Sequence, residues 1–217
     1  MTFTQFAETL LRQDVVPNIS TTFSGSGLFE KGTLVNGTTI TVNIKNLANV
    51  TLPINKVDFY RGNTLLQSMP FVEGQSSYIY NYANVIKEDT AFKIVLTYSL
   101  NQTITNTGSF TFVYASYYGT TALSAVTNND AANLISAFTK TVKNTKALTW
   151  NNITLNDARY CYAYPNSFGD LTSIKDANNF EYLGSYTKTT MMIDSTLYNV
   201  YVLTDPVTIT GAKQVYA

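Results

Sequence analysis

The chain has 217 residues, with 14 basic and 14 acidic side chains, so it carries no net charge, and charged residues make up only 13% of it. A surface of this kind has no long-range field to steer a polyanion, which argues against nucleic acid as a partner. One Cys and no His exclude an internal disulfide framework, Ser-His-Asp and Cys-His catalysis, and His-based metal sites.

Residues Thr2 to about Gln13 place Phe3, Phe6, Ala7, Leu10 and Leu11 at helical spacing, which predicts a short amphipathic helix with one apolar stripe. Thr2 with Gln5 forms a capping box, Met1 with Phe6 a staple over it, and Pro17 marks the far boundary. A helix of this length is marginal alone in water, so its stripe needs a seat. That seat is either the chain's own domain or a neighbouring subunit, and Phe3, Phe6, Leu10 and Leu11 are the candidate partner-binding residues. The N-terminus lacks the basic region and cleavage site of a signal peptide, which implies synthesis in a cytoplasm. No apolar run approaches the roughly 20 residues that insertion across a membrane requires. The Asn-x-Ser/Thr sequons, such as that at Asn18, follow from the abundance of Asn and Thr and carry no argument for glycosylation.

From Pro17 to about Tyr118 the pattern changes to period two, with frequent turn signals. Ile40, Val42 and Ile44 alternate with Thr41, Asn43 and Lys45. Val57 and Phe59 lead to the turn residues Gly62 and Asn63 and then to Leu65 and Leu66, a hairpin. Tyr78, Tyr80 and Tyr82 share one face, as do Phe92, Ile94, Leu96, Tyr98 and Leu100, and then Phe110, Phe112 and Tyr114. About seven short strands without a convincing helix match an immunoglobulin-like sandwich, although no Cys pair or strand Trp of the antibody type is present.

After Tyr117-Tyr118-Gly119 a helix is expected, capped by Asn128 or Asn129, with Ala131, Leu134, Ile135, Phe138 and Val142 as its buried stripe. Strands follow near Ala147 to Ile153, at Tyr160 to Tyr164, at Thr187 to Ile193, at Asn199 to Thr204 and at Val207 to Ile209. Tyr160, Tyr162 and Tyr164 share one strand face and Arg159, Cys161 and Ala163 the other. Pro165 ends that ladder; Asn166, Ser167 and Gly169 form a loop, and Phe180, Tyr182 and Tyr186 resume a strand. The fold class expected is mainly β: an N-terminal helix over 1–16, an Ig-like β-sandwich over 17–116, and an α+β module over 117–217 with one helix on an antiparallel sheet.

The series Tyr164, Pro165, Ser167, Gly169, Leu171, Ser173, Ile174, Asp176, Asn178 and Phe180 resembles the C-terminal module of phage virion structural proteins, especially fibre and appendage proteins of tailed phages. Tyr117, Tyr118 and Gly119 match the aromatic lead-in to that module. Phe29 to Thr33 and Val57 to Leu65 also resemble Ig-like modules of phage fibres, and of many bacterial adhesins. The resemblance implies a virion protein made in a bacterial host, a homo-oligomer that is often a trimer, held to other virion proteins, capsid or tail, by an N-terminal element. It implies no cofactor.

Carboxylates are the remaining candidates for catalysis. Asp170, Asp176 and Glu181 could supply a glycosidase pair, yet Asp beside Gly and Asn is first a turn former. Asp176 and Asn178 could offer oxygens to Ca²⁺, but the acidic series of an EF-hand is absent. No Gly-rich phosphate loop occurs, since Gly25-Ser26-Gly27 lacks the strand-to-helix context. Cys161 reads as a small buried hydrophobe rather than a reactive thiol. The tyrosines suit a core, a protein interface or a sugar platform. The reading is a non-enzymatic virion component with no catalytic, metal or cofactor residue assigned; the alternative is a module binding host-surface glycan or another receptor.

Overall fold

The computed structural model describes residues 14–217. The helix expected over Thr2 to Gln13, with Phe3, Phe6, Leu10 and Leu11, lies outside the described residues. The fold is mainly β, with several sheets. It divides into two compact units, the first ending at Gly27 and resuming over Gly32–Phe112, the second made of Leu28–Lys31 and Val113–Ala217.

The first unit is built from β1 (Asn18–Phe23), β3 (Val35–Lys45), β4 (Ile54–Arg61), β5 (Thr64–Pro70), β6 (Ser77–Ile86), β7 (Thr90–Tyr98) and β8 (Gln102–Val113), while β2 (Gly27–Glu30), which pairs with β8, falls mostly in the stretch that belongs to the second unit. One sheet has the order β1-β3-β6 and the other β2-β8-β7-β4-β5. Alternation sets which side chains point inward. Ile40, Val42 and Ile44 of β3, Tyr78 and Tyr82 of β6, Val57 and Phe59 of β4, and Phe92, Ile94 and Leu96 of β7 are all buried. The ring of Tyr82 meets that of Phe92 edge-on at 5.0 Å, and Phe59 lies 5.5 Å from Tyr80, which closes one sheet over the other. The β4–β5 hairpin turns at Gly62, whose φ of 56° lies in the left-handed region.

Two expected core positions are not core. Leu100 is 94% exposed, because β7 ends at Tyr98 and the chain reverses through left-handed Ser99 and Asn101. Tyr114 is exposed because β8 ends one residue before it. In both cases the period-two pattern outruns the strand that carries it.

The second unit contains β9 (Ser116–Thr121), α1 (Ala131–Ala137), β10 (Thr139–Thr141), β11 (Leu148–Pro165), β12 (Ile174–Asp176), β13 (Tyr186–Ile193), β14 (Thr196–Leu203) and β15 (Val207–Tyr216). Everything is organised on β11, 18 residues long. Its first half pairs with β15, which in turn pairs with β12. Its second half pairs with β9 on one side and β14 on the other, and β10 and β13 complete that sheet. Three register shifts against β15 bend the strand, and left-handed Asn152 and Asp157 fall within them. Asn and Asp visit that region more readily than other non-glycine residues.

From Tyr160 to Pro165 every residue of β11 is buried. On one face Tyr160, Tyr162 and Tyr164 join Tyr186, Tyr201 and Tyr216 with Leu148, Ile153, Leu155 and Ile174. On the other, Cys161 and Ala163 join Val200, Val202, Met191 and Ile193 beneath Leu134 of α1 and Phe138. The expected module of one helix on one sheet is therefore incomplete. The helix covers one face, and the first half of β11 with β15 and β12 closes over the other.

The helix itself is shorter than expected. Thr127, rather than Asn128 or Asn129, caps the turn before it, and its N–H donates to Asp130 Oδ2 at 2.9 Å. It stops at Ala137 because Thr139-Lys140-Thr141, three residues suited to a strand, pair with β9. Phe138 is left extended and lies against Gly119, where a Cβ would come within 2.5 Å of its ring. The strand expected over Phe180, Tyr182 and Tyr186 begins only at Tyr186; Phe180 and Tyr182 are 64% and 39% exposed.

Candidate functional site

The loop between β11 and β13 carries all three candidate carboxylates, and the fold commits each of them to a structural task. Glu181 accepts hydrogen bonds from Ser173 Oγ, from the Ile174 N–H at 2.8 Å and from the Leu183 N–H at 3.0 Å. The Ser173 hydroxyl and these two amides hold its carboxyl down to about 2. That is the opposite direction from a general acid, which must keep its proton near neutrality. Asp176 Oδ1 accepts from the N–H groups of Asn178 at 2.8 Å and Phe180 at 3.0 Å, forming an Asx turn. Asp170 pairs with Lys188, while its backbone carbonyl accepts from Lys146.

The pH consequence at Glu181 follows from its direction. Its folded pKa lies below the unfolded value near 4.5, so it stabilises the fold fully above about pH 4.5 and that contribution is lost as pH falls toward about 2. Urea melts followed by the fluorescence of Trp150 should show this loss. Glu181→Gln should be the less stable protein at neutral pH, and the gap should close near pH 2. Parallel acid slopes for the two proteins would show that Glu181 is not the group responsible.

Behind the loop, Asn199 and Tyr201, which the sequence did not single out, share the fastening with Tyr164 and Asn166. Asn199, fully buried, donates to the Gly169 carbonyl at 3.1 Å and accepts from Asn166 Nδ2 at 2.7 Å. Tyr201 Oη accepts from the Leu171 N–H at 3.1 Å, and the Tyr164 hydroxyl donates to the Gly169 carbonyl at 2.9 Å. The signal available for Asn199 was its polarity within an otherwise apolar strand, Leu197 to Leu203. Leu171 and Ile174 are buried beneath the loop, and Thr172 and Ser173 pair with Ala217.

The other candidates separate cleanly. Cys161 is fully buried and its thiol is pushed up to about 12 by loss of solvent, so it is protonated and inert. The tyrosine hydroxyls of the core are likewise raised by burial, Tyr162 and Tyr164 among them. Among the described residues no three His, Cys, Asp or Glu side chains gather into a metal-binding group. Asp58 was missed by the sequence reading. It is 3% exposed, with one oxygen 2.8 Å from Lys56 Nζ and the other without a partner.

The described residues also line concavities in each unit. In the second unit, exposed Tyr182 with Ser185, Thr204, Asp205 and buried Gln214 lines a hollow of about 440 Å³. In the first unit, an open groove of about 940 Å³ is lined, among the described residues, by Leu47, Val50, Leu52, Pro53 and Phe71 together with the polar Thr51, Glu73 and Ser76. Comparison with protein-family models, with curated proteins and with solved structures finds no match for this chain. Phe3, Phe6, Leu10 and Leu11, the partner-binding candidates, lie outside the described residues, which begin at Asp14.

Proposed function

We propose that the chain is a non-enzymatic structural component of a bacteriophage virion, a head or tail fibre or appendage protein that assembles with other virion proteins and with copies of itself. The observation that carries this reading is the use made of this stretch's polar groups. Tyr164 and Asp176 of the motif and the candidate acids Asp170 and Glu181 are all engaged in holding the loop, which favours a mechanical part over a catalytic one. The Ig-like reading of the first unit is supported by strand order: β1, β3 and β6 take the places of strands A, B and E, and β8, β7, β4 and β5 those of G, F, C and C′.

The test is location. Antibody against the chain should label a fixed point on purified particles, head or tail, and mass spectrometry of those particles should recover it. A protein abundant in the infected lysate but absent from washed particles would overturn the reading. Incubation with capsular and cell-wall polysaccharide should release no sugar, and turnover lost in Asp170→Asn would replace a structural role with an enzymatic one.

A second reading, a module for host-surface glycan or receptor, is favoured by the exposed ring of Tyr182 in the lining of the hollow that contains Asp205 and Gln214. An aromatic face next to planar polar groups is the usual arrangement for stacking on a sugar ring. Tyr182→Ala should then abolish adsorption to host cells while leaving the protein in the particle.

A further inference from the structure

We infer that the hollow of the second unit is a site for one uncharged sugar ring, with the Gln214 carboxamide and the Tyr186 hydroxyl as its polar floor and Tyr182 as its aromatic wall. The inference rests on the glycan reading above and deepens it: that reading names a surface, and this one names the class of sugar and the groups that select it.

The floor is the first observation. Tyr186 of β13 and Gln214 of β15 both line the hollow, and they are only 9% and 7% exposed. A buried carboxamide normally uses its capacity, two N–H donors and an oxygen with two lone pairs. Gln214 uses little of it. The Tyr186 hydroxyl donates to Gln214 Oε1 at 3.5 Å, the outer limit of a hydrogen bond, and the Tyr160 hydroxyl lies beside the same carboxamide. A ligand hydroxyl entering the hollow would find donors and an acceptor already desolvated and held in place by two strands.

The walls are the second. Leu203 is buried and Val207 partly so, while Tyr182 keeps 39% of its surface exposed. A lining with apolar walls and a few convergent polar groups is that of a small-molecule site, and about 440 Å³ falls within the range of roughly 300–1,000 Å³ that such sites occupy. A sugar ring matches both parts. Its C–H face suits an aromatic ring, and its hydroxyl edge suits an amide and a phenol.

Charge decides which sugar. No Lys or Arg lines the hollow, and Asp205 is its one carboxylate. Arg159 approaches Thr204 but spends Nε and Nη1 on the carbonyls of Thr204 and Ala122. An acidic sugar would give up its hydration without a cationic partner and would meet the Asp205 carboxylate as well. Neutral hexoses and N-acetylhexosamines are therefore the class that fits, and uronic acids are excluded.

The full-length protein, labelled with ¹⁵N, tests this by titration with galactose, glucose, mannose and N-acetylglucosamine, and with glucuronic acid as the acidic control. A neutral sugar should shift the Gln214 side-chain amide and the backbone amides of Gly184 and Ser185, and glucuronic acid should leave them in place. Gln214→Met keeps the volume and removes the amide, and Tyr182→Ala removes the wall at an exposed position. Each should weaken binding by about tenfold, the loss of one good contact, with Trp150 fluorescence in urea showing that the fold is kept. The inference is overturned if none of the four neutral sugars moves these signals, if glucuronic acid moves them equally, or if Tyr182→Ala binds as the unaltered protein does. Adsorption to host cells separates this inference from the reading beneath it. Adsorption that neutral sugars inhibit but that survives both substitutions would keep the glycan reading and place its site elsewhere. No adsorption and no sugar-induced shift would overturn both.

Discussion

Tyr162→Ala should destabilise the second unit by about 3–5 kcal/mol, the range for truncating a large buried ring, a large part of the roughly 5–15 kcal/mol that holds a typical domain together. Tyr162 is fully buried, its ring 5.1 Å from that of Tyr164 and 4.9 Å from that of Tyr216. These rings fill the space where the two halves of β11 fold over each other. Tyr162→Phe keeps the ring and removes only the hydroxyl, which donates to the Lys146 carbonyl at 2.8 Å. It should cost about 1 kcal/mol, the net value of a typical hydrogen bond, or somewhat more if the carbonyl is left unpaired. Trp150, whose ring is 5.8 Å from that of Tyr160, reports the unfolding of this core in urea. Equal losses in the two variants would show that the hydroxyl, and not the ring, holds the core.

Gly37→Ala should destabilise the first unit by about 2–5 kcal/mol. Its φ is 72°, and a Cβ there would stand 2.3 Å from the carbonyl oxygen of Tyr82. The obstacle is backbone of the paired strand β6, next to the bulge between Asn36 and Thr38, so relief requires the ladder itself to open. Gly169→Ala is the control. Its φ is 74° but no atom lies within 4 Å of the added methyl, which leaves only the conformational cost of about 1–2 kcal/mol. Urea titration read by hydrogen exchange over β3 and β6 for the first change, and by Trp150 fluorescence for the second, separates the two. A Gly37→Ala loss no larger than that of Gly169→Ala would mean that β3 and β6 yield at the bulge without strain.

The loop after β11 shows how far its chemistry could be read in advance. Its turn formers were visible as such: Gly169 has positive φ, Asp176 forms an Asx turn, and Leu171 and Ile174 are its buried anchors. Glu181 was legible only as one of three acids. That it clamps Ser173, Ile174 and Leu183 depends on a loop closing on itself over eight residues, which no spacing rule encodes. Asn199 and Tyr201 reach the same loop from about 30 positions away in the chain.

Local sequence by itself determined the strands and their faces where one face meets the core and the other meets water. There the alternation is forced by the pleat, and Ile40, Val42 and Ile44 or Phe92, Ile94 and Leu96 lie inward as their spacing requires. It also determined that neither His chemistry nor an internal disulfide is available. Tertiary structure alone decided the rest. In β11 both faces are buried, so alternation between tyrosines and small residues separates two cores instead of a core from solvent. Which strand pairs with which half of β11, and where α1 gives way to β10, is settled by backbone hydrogen bonds to distant segments. A buried N–H or C=O must find a partner, and that requirement is met by whichever strand the whole fold brings alongside, not by the residues next in sequence.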